Sequence, residues 1–240
     1  MKRVYVSVVR GIRSLLCAIG LLGPLDRAAA RWRWALWVRS WLSIYDLDDM
    51  LRLDVPWWTF EAADEVAEFL RGRPDARVLE WGSGASTVWL SQRAGTVVSI
   101  EHDPRWAART ARALAARDAE NVQLRVVQPT RLVPPGGVPS AKPGFAGLDF
   151  EAYADAVDAV PGDLDLVVID GRAREACLVR AIDRLAEGGL IVFDNVDRQR
   201  YRDAVEALGT RLSVDWTRGI TPALPYPTRT ALIRLNGVAS

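Results

Sequence analysis

The chain has 240 residues, of which 50% are hydrophobic and 25% are charged, and its formal net charge is +1. This length is enough for one substantial α/β domain with an appendage. A net charge this close to zero gives no overall electrostatic reason to bind nucleic acid, and we expect none as a partner. The single histidine excludes a histidine-rich metal site, and the two distant cysteines fit neither a zinc site nor a disulfide framework. Such cysteine usage is typical of a reducing cytoplasm.

The first 55 residues predict a helical extension ahead of the main domain. An apolar stretch at 4–23 is interrupted by Arg10 and Arg13, and its uninterrupted part is shorter than the ~20 residues that a membrane-spanning helix needs. A basic start followed by three alanines at 28–30 also fits a signal peptide. We favour a cytoplasmic chain, because the charged residues just before the alanines are unfavourable for cleavage and the chemistry argued below needs a cytosolic cosubstrate.

The segment 31–42 is rich in tryptophan and arginine. Three tryptophans fall at the helical spacing i, i+3, i+7: Trp34, Trp37 and Trp41. Three arginines accompany them: Arg31, Arg33 and Arg39. This composition is typical of a helix that lies on a membrane surface, here the inner face of the membrane. The alternative, which we favour, is that the aromatic stripe packs on the main domain or on a second subunit of a homo-oligomer.

From residue 77 onward, short apolar strands alternate with amphipathic helices. The predicted strands are 77–80, 96–101, 122–127, 165–170 and 190–194. The predicted helices of this part are 86–93, 104–117, 174–186 and 198–208, and a further helix at 60–71 is predicted ahead of the first strand. Two further strands, 211–217 and 228–235, predict an antiparallel pair at the end. This order indicates an α/β fold with a doubly wound, mostly parallel sheet that is covered by helices on both faces.

Three segments lie outside this alternation. The acidic stretch 46–54 is predicted to connect the extension to the main domain. The stretch 129–148 is rich in proline and glycine, so it predicts a lid or binding loop in which Lys142 either contacts substrate or is an exposed surface lysine. Trp57 and Trp58 precede the domain, where they either floor a substrate pocket or fill the core.

A glycine motif follows the first predicted strand. Gly82 and Gly84 stand at a strand-to-helix turn, where bare backbone can approach a ligand at the helix N-terminus. Dinucleotide sites share this motif, but they carry glycine or alanine where this chain has Thr87. Glu80, just ahead of the glycines, would oppose a pyrophosphate and would suit a cationic sulfonium and amino group.

The second predicted strand ends in Glu101, 19 residues beyond Gly82. A carboxylate at the end of the neighbouring strand can accept hydrogen bonds from both ribose hydroxyls. His102 and Asp103 follow, where they flank the base; the alternative for Asp103 is that it caps the next helix. The two strands together predict a site for an adenosine-containing ligand.

These motifs resemble those of the class I S-adenosylmethionine-dependent methyltransferases, over about 57–240. The resemblance rests on the loop 80–84 with its Glu-Trp-Gly-Ser-Gly sequence, on Glu101, and on the Asp170-Gly171 pair after the fourth predicted strand. It implies a seven-stranded sheet with an antiparallel last strand, in a cosubstrate-binding domain at 56–240 behind an extension at 1–55. The predicted cosubstrate contacts are Glu80, Gly82, Ser83, Gly84, Ser86, Thr87, Glu101, His102 and Asp170.

The ends of two strands are predicted to form the acceptor side. The cation-dependent O-methyltransferases of the catechol and caffeoyl-CoA type bind a divalent ion at positions that match Asp170, Asp194 and Asn195. The resemblance therefore implies Mg²⁺, which would acidify a bound hydroxyl. Those enzymes follow the first Asp with a lysine base, whereas this chain has Arg172 and Arg174, and many relatives with this turn lack a metal. The predicted catalytic residues are Asp170, Arg172, Asp194 and Lys142.

We therefore expect an S-adenosylmethionine-dependent methyltransferase acting on a hydroxyl of a small molecule, a sugar or a lipid-linked glycan. One alternative is an NAD(P)-dependent oxidoreductase on a similar sheet, which Glu80, Thr87 and the lack of a Tyr-x-x-x-Lys motif oppose. Another is a non-catalytic membrane-associated protein that keeps the fold. The intact set of acidic residues and glycines speaks against it, because such a protein has no use for them together.

Overall fold

The computed structural model describes residues 2–44, 46–133 and 135–236, and it describes the side chains from residue 6 onward within those ranges. Lys2, one of two lysines in the chain, therefore has a side chain outside the described part. Four helices form the N-terminal extension: α1 (Lys2–Ala18), α2 (Leu22–Ala29), α3 (Arg33–Trp41) and α4 (Leu47–Leu53). Helix α5 (Phe60–Arg71) opens the main domain. Thr59 caps it by accepting a hydrogen bond from the Ala62 amide at 3.2 Å.

Seven strands form the main sheet: β1 (Arg77–Trp81), β2 (Thr96–Glu101), β3 (Val122–Val126), β6 (Leu164–Ile169), β7 (Leu185–Asp194), β8 (Leu212–Gly219) and β9 (Thr228–Leu235). Their order is β3-β2-β1-β6-β7-β9-β8. The first five of that order pair in parallel, and β9 pairs antiparallel with both β7 and β8. The prediction of a seven-stranded, doubly wound sheet with an antiparallel end is confirmed.

Helices cover both faces of this sheet: α6 (Ala85–Ser91), α7 (Pro104–Ala115), α8 (Glu151–Asp155), α9 (Arg174–Ile182) and α10 (Gln199–Glu206). Alternate strand residues belong to different cores, with Leu79 and Ile191 in one and Val78 and Val192 in the other. This division follows from the alternation of side chains along a strand, and it explains the uninterrupted apolar strand sequences. From β1 the chain adds β2 and β3 on one side of the sheet, and then β6 and β7 on the other side. This switch in strand order between β1 and β6 leaves a crevice beyond the carboxyl ends of those two strands.

Besides shifts of one or two residues at element ends, three predicted segments differ from the structure. Strand β7 begins at Leu185 rather than 190, because Leu185 pairs with Leu164 before a register shift, and helix α9 accordingly ends at Ile182. The stretch 129–148 is not wholly irregular, since β4 (Thr130–Arg131) and β5 (Leu148–Asp149) pair across it. The connector at 46–54 contains helix α4, which Asp46 caps by accepting from the Asp49 amide at 3.1 Å. The sequence predicts a loop and a connector for the last two segments, because the one is rich in Pro and Gly and the other is acidic. In the structure, strand pairing and a helix cap give them regular secondary structure.

The tryptophan stripe of the extension is divided between the protein interior and solvent. Trp37 donates from its indole nitrogen to the Leu224 carbonyl at 2.8 Å, and its ring meets Trp41 edge-on at 4.8 Å. Trp34 remains 61% exposed. Arg39, which would flank the helix in the membrane-surface interpretation, is buried and binds both carboxylate oxygens of Asp49 at 2.8 and 2.9 Å.

Among the described residues, no single helix has the length and hydropathy to span a bilayer. Only a pair of segments, Val6–Ala18 and Leu22–Ala29, meets the criterion together, and the two are bent by 101°.

Candidate functional site

A cleft of about 590 Å³ opens at the carboxyl ends of β1, β2, β6 and β7. This volume is in the range of small-molecule and cofactor sites. One half of the cleft is lined by the glycine loop and Glu101, and the other by Asp170 and Asp194. The extension contributes Ile44, so residues on both sides of the predicted domain boundary line the cleft.

Gly82 brings the two halves together. Its φ is +101°, in the region that favours glycine. A Cβ there would lie 2.8 Å from both the Cα and the nitrogen of Gly171, which is too close for any side chain. Gly82 is therefore required for the loop after β1 to contact the Asp170-Gly171 turn after β6.

Glu80 lies under the glycine loop and outside the cleft lining. It is fully buried and accepts hydrogen bonds from three hydroxyls, those of Ser86, Thr87 (2.6 Å) and Ser99 (2.7 Å). Burial raises the pKa of the Glu80 carboxyl to about 7, despite these hydrogen bonds. Thr87 also accepts from the Gly84 amide at 2.8 Å, so both residues brace the loop from below. Their direct contact with a cosubstrate stays a prediction.

Glu101 ties the glycine loop to the end of β2, and it lines the cleft. One carboxylate oxygen accepts from the Ser83 amide at 3.0 Å and the Ser83 hydroxyl at 3.2 Å. The other accepts from the amides of His102 at 2.7 Å and Asp103 at 2.9 Å. Asp103 caps α7 through the Arg105 amide at 2.8 Å, as its alternative interpretation holds. Glu101 thus has a fixed position at the cleft wall.

Aromatic rings form much of the remaining wall, and sequence reasoning missed most of them. Trp106 donates to the Ser83 carbonyl at 2.6 Å, and its ring stacks on Trp57 with centroids 6.3 Å apart. Phe145, from the Pro/Gly-rich loop, lies 5.4 Å from the His102 ring. Trp58, the second member of the predicted pair, is instead fully buried in the core. The position of Trp106 in the first turn of a helix that starts beside Glu101 was the available signal.

Asp170 and Asp194 meet around a buried guanidinium. Arg174, only 4% exposed, donates to the Asp170 side chain at 2.5 Å and to its carbonyl at 2.7 Å. It also donates to the carbonyls of Gly171, at 3.1 Å, and Asp194. The Thr230 hydroxyl donates to Asp194 at 2.7 Å, and the Asn195 amide donates to its other oxygen. The prediction that the two acids share one edge is met by this geometry.

Burial raises the pKa of both carboxyls, and for Asp194 the charge of Asp170 raises it further. The Arg174 cation acts in the opposite direction on each of them. The side chain of Asp170 is 19% exposed, whereas that of Asp194 is 2% exposed. Asp170 is therefore the member of the pair that a ligand in the cleft can reach.

The predicted metal ligands do not fit a divalent ion in this arrangement. The Arg174 guanidinium already lies against Asp170 at 2.5 Å and within 3.9 Å of Asp194, where a cation would have to bind. The Asn195 side chain presents its amide nitrogen to Asp194. Among the residues that the structure describes, no three His, Cys, Asp or Glu side chains converge as a metal site. The site supplies its own monovalent cation instead.

Arg172 and Lys142, the two predicted basic residues of the acceptor side, both line the cleft. Arg172 stacks over Phe145 at 5.3 Å and donates to the Gly171 carbonyl at 3.1 Å. Its Nε is buried without a hydrogen-bond partner, and no carboxylate among the described residues lies within ion-pair distance of it. Burial and the neighbouring Arg174 lower the pKa of the guanidinium, which nevertheless stays charged.

Comparisons with known proteins agree with this geometry. A family model described as a methyltransferase domain matches residues 79–196. A search of curated proteins finds no match to the chain. An O-methyltransferase from Bacillus cereus, solved in complex with SAH, has 16% identity and a TM-score of 0.57, covering 79% of this chain and 90% of its own. A precorrin-6y C5,15-methyltransferase from Geobacter metallireducens has 20% identity and a TM-score of 0.51, covering 73% and 88%. An rRNA methylase from Streptococcus thermophilus has 14% identity and a TM-score of 0.50, covering 72% and 95%. The structural likenesses show a shared fold.

Proposed function

Since this chain is a class I S-adenosylmethionine-dependent methyltransferase, we propose that it methylates a hydroxyl oxygen and that Asp170 and Asp194 serve the acceptor. The acceptor classes we propose are a small molecule, a sugar or a lipid-linked glycan, in the cytoplasm or at the inner face of the membrane. The observation that carries the proposal is a carboxyl pair with raised pKa values, buried Asp194 and partly exposed Asp170, that lines the same cleft as the glycine loop.

The cosubstrate fits the half of the cleft formed by the glycine loop and Glu101. Gly82 and Gly84 leave the backbone open there, and the Trp57–Trp106 stack closes one side. S-adenosylmethionine supplies a methyl group bound to a positively charged sulfur. We assign its ribose to Glu101, because a carboxylate at the end of β2 can accept both ribose hydroxyls. We assign its adenine to the neighbourhood of His102.

The acceptor hydroxyl must lose a proton as its oxygen takes the methyl group. Asp170 is suited to receive that proton, because it is exposed to the cleft and its pKa is raised by burial. Asp194 and Arg174 orient Asp170 and balance its charge. Methyl transfer itself depends mainly on holding the two reactants in line, which the walls of the cleft provide.

Arg172 is our proposed acceptor-binding residue, with Lys142 on the facing loop. A partly buried guanidinium without a carboxylate partner is costly, and a ligand oxygen that accepts its hydrogen bonds would offset that cost. Sugars offer such oxygens as hydroxyls, and phosphate-bearing carriers offer them as anions. The cleft therefore favours a polar acceptor over an apolar one.

A metal-assisted version of the reaction is the alternative within this proposal. It would require Arg174 to leave the acid pair so that Mg²⁺ could bind Asp170, Asp194 and Asn195. We favour the arrangement with Arg174 in place, because its guanidinium makes four hydrogen bonds to this edge of the sheet.

The test is transfer of a labelled methyl group from S-adenosylmethionine to small-molecule and polar-lipid extracts of the source cells, with and without EDTA. We expect label in an alkali-stable methyl ether, unchanged by EDTA and lost in Asp170→Asn. Label found only in protein or nucleic acid would contradict the proposed acceptor class. Loss of activity with EDTA, restored by Mg²⁺, would favour the metal alternative. Binding of NADH instead of S-adenosylhomocysteine would point to the oxidoreductase.

A further inference from the structure

Helix α1 carries an apolar stripe on its solvent side. Four aliphatic residues at helical spacing form it, and they are 54%, 46%, 60% and 56% exposed: Val8, Ile12, Leu15 and Ile19. We call this set the outer stripe. Single exposed aliphatic residues are common on protein surfaces, but three on α1 and a fourth, Ile19, just after its end continue one helical spacing and mark a contact surface.

The exposure of the outer stripe does not come from a detached helix. Val9, on an adjoining side of α1, is 7% exposed. Arg13 binds Asp46 at 2.7 Å and Asp49 at 3.0 Å, which anchors α1 to the rest of the extension. Asp49 in turn is fully buried and also holds Arg39. The protein thus fixes one side of α1 and leaves the outer stripe without a partner among the residues that the structure describes.

Two tryptophans add to the exposed apolar surface of the extension. Trp32 and Trp34 are 52% and 61% exposed, and their rings stack with centroids 6.3 Å apart. Tryptophan is favoured at the boundary between lipid and water, where its ring is apolar and its N–H can be solvated. These are not the tryptophans that pack inward, so the aromatic stripe of the sequence has separated into an inner and an outer part.

The charge of the extension selects the occupant of this surface. Over residues 1–55 the extension has nine Lys and Arg residues and five Asp residues, a formal net charge of +4, and six of these cations are arginines at 6–44. Three of these arginines are bound to carboxylates of the chain, whereas Arg10, Arg27 and Arg31 have no ion pair within the described residues. A second copy of the chain would bring two cationic surfaces together. Anionic phospholipid would instead supply both an apolar phase and negative charge.

We propose that the extension docks this enzyme on an anionic phospholipid surface through the outer stripe, Trp32 and Trp34. The extension also reaches the cleft, because Ile44 lines it and Trp37 holds the carbonyl of Leu224, another lining residue. The extension therefore connects the docking surface to the wall of the cleft. The docking does not depend on the identity of the methyl acceptor.

The experiment is co-sedimentation of the full chain with vesicles of phosphatidylcholine alone or with about one third phosphatidylglycerol. We expect binding to the anionic vesicles that weakens between about 0.1 M and about 0.5 M salt. Leu15→Ser with Ile19→Ser should lower the vesicle–water partition coefficient by about tenfold or more. In the wild type both aliphatic side chains move from water into the lipid, and the variant loses that contribution. The matched control is Val133→Ser with Val179→Ser, which removes two aliphatic side chains that are 73% and 53% exposed elsewhere.

Other results would overturn docking on lipid. Absence of vesicle binding, or equal loss in the two double variants, would overturn it. A dimer in solution that Leu15→Ser with Ile19→Ser converts to a monomer, without vesicle binding, would assign the stripe to a second copy and also overturn it. S-adenosylhomocysteine binding should be the same in all of these proteins, so failure of docking and failure of the methyltransferase assignment are separate results.

Discussion

Two groups of buried carboxyls lie along the same edge of the sheet, and they are held by different kinds of partner. Glu80, at the end of β1, accepts hydrogen bonds from three hydroxyls and has no ion pair with any described residue. Asp170 and Asp194, at the ends of β6 and β7, surround the guanidinium of Arg174. Glu80 lies below the cleft, whereas the aspartate pair lines it.

The difference separates a structural role from a chemical one. Hydroxyls satisfy the oxygens of a carboxylate without neutralising it, and burial raises the pKa of the Glu80 carboxyl to about 7 despite their hydrogen bonds, so Glu80 gains a proton near neutral pH and braces the loop. A guanidinium supplies charge as well as donors, so it holds two aspartates together at a position that a ligand reaches.

Removing the cation from the aspartate pair should have the largest effect. Arg174→Met leaves two buried carboxyls without a counter-charge, and we expect the free energy of unfolding to fall by about 3–5 kcal/mol, with loss of activity. The loss should be smaller at acidic pH, where the carboxyls take up protons. Denaturant unfolding at two pH values measures it. Arg180→Met, on the same helix and paired with Asp155 nearer the surface, is the control and should cost about 1 kcal/mol or less. Equal losses would contradict a special role for Arg174.

Removing the proposed base should affect turnover more than binding. For Asp170→Asn we expect kcat to fall by roughly 10²–10⁴-fold, with S-adenosylhomocysteine affinity nearly unchanged, since general-base catalysis contributes about that much. Because the pKa of Asp170 is raised, wild-type kcat should rise with pH over a range above that of an ordinary carboxyl. Asp183→Asn, an exposed carboxyl, should match the wild type. A variant that keeps full turnover would show that Asp170 is not the base.

Replacing the unpaired arginine should weaken the acceptor alone. Arg172→Met should lower kcat/KM for the acceptor by about 10–100-fold, because one charge-assisted contact is worth about 1.5–3 kcal/mol. Steady-state kinetics with the acceptor from the labelling experiment measures this change. The exposed Arg109→Met is the control. If only the affinity for S-adenosylhomocysteine falls, Arg172 binds the cosubstrate instead.

Glu80 should mainly affect how the free energy of unfolding depends on pH. Its folded pKa of about 7 exceeds its ordinary value of 4.5, so the folded state binds the proton more tightly than the unfolded chain. Its contribution to stability is therefore present below pH 4.5 and is lost as pH rises to about 7, with a slope of at most about 1.4 kcal/mol per pH unit. In Glu80→Gln that part of the pH dependence should disappear. A variant with the wild-type pH profile would refute the raised pKa.

Much of the fold could be predicted because its signals are local. The boundaries of β2 and β9, and the Thr59 cap, follow from apolar runs and a capping residue, and the structure has them at the predicted positions. The shared edge of Asp170 and Asp194 also follows from the sequence, because the ends of parallel strands meet at one edge.

The partners of those carboxyls could not be predicted in the same way. Arg174 reaches Asp194 across 20 positions of sequence through the first turn of α9, and no local pattern encodes that contact. The resemblance to cation-dependent enzymes put a metal where the fold places this guanidinium. The division of the tryptophan stripe likewise depends on the loop at 221–224, which lies far away in sequence.

Titration calorimetry with S-adenosylhomocysteine tests the central claim most directly. We predict one site per chain, with the same affinity in EDTA and in Mg²⁺ and with no heat from NADH. Glu101→Gln should weaken binding by about tenfold or more, because it removes a charged acceptor, while the exposed Glu120→Gln should not. Failure of S-adenosylhomocysteine to bind the wild-type chain, or binding of NADH in its place, would contradict a methyltransferase whose acceptor side carries its own cation.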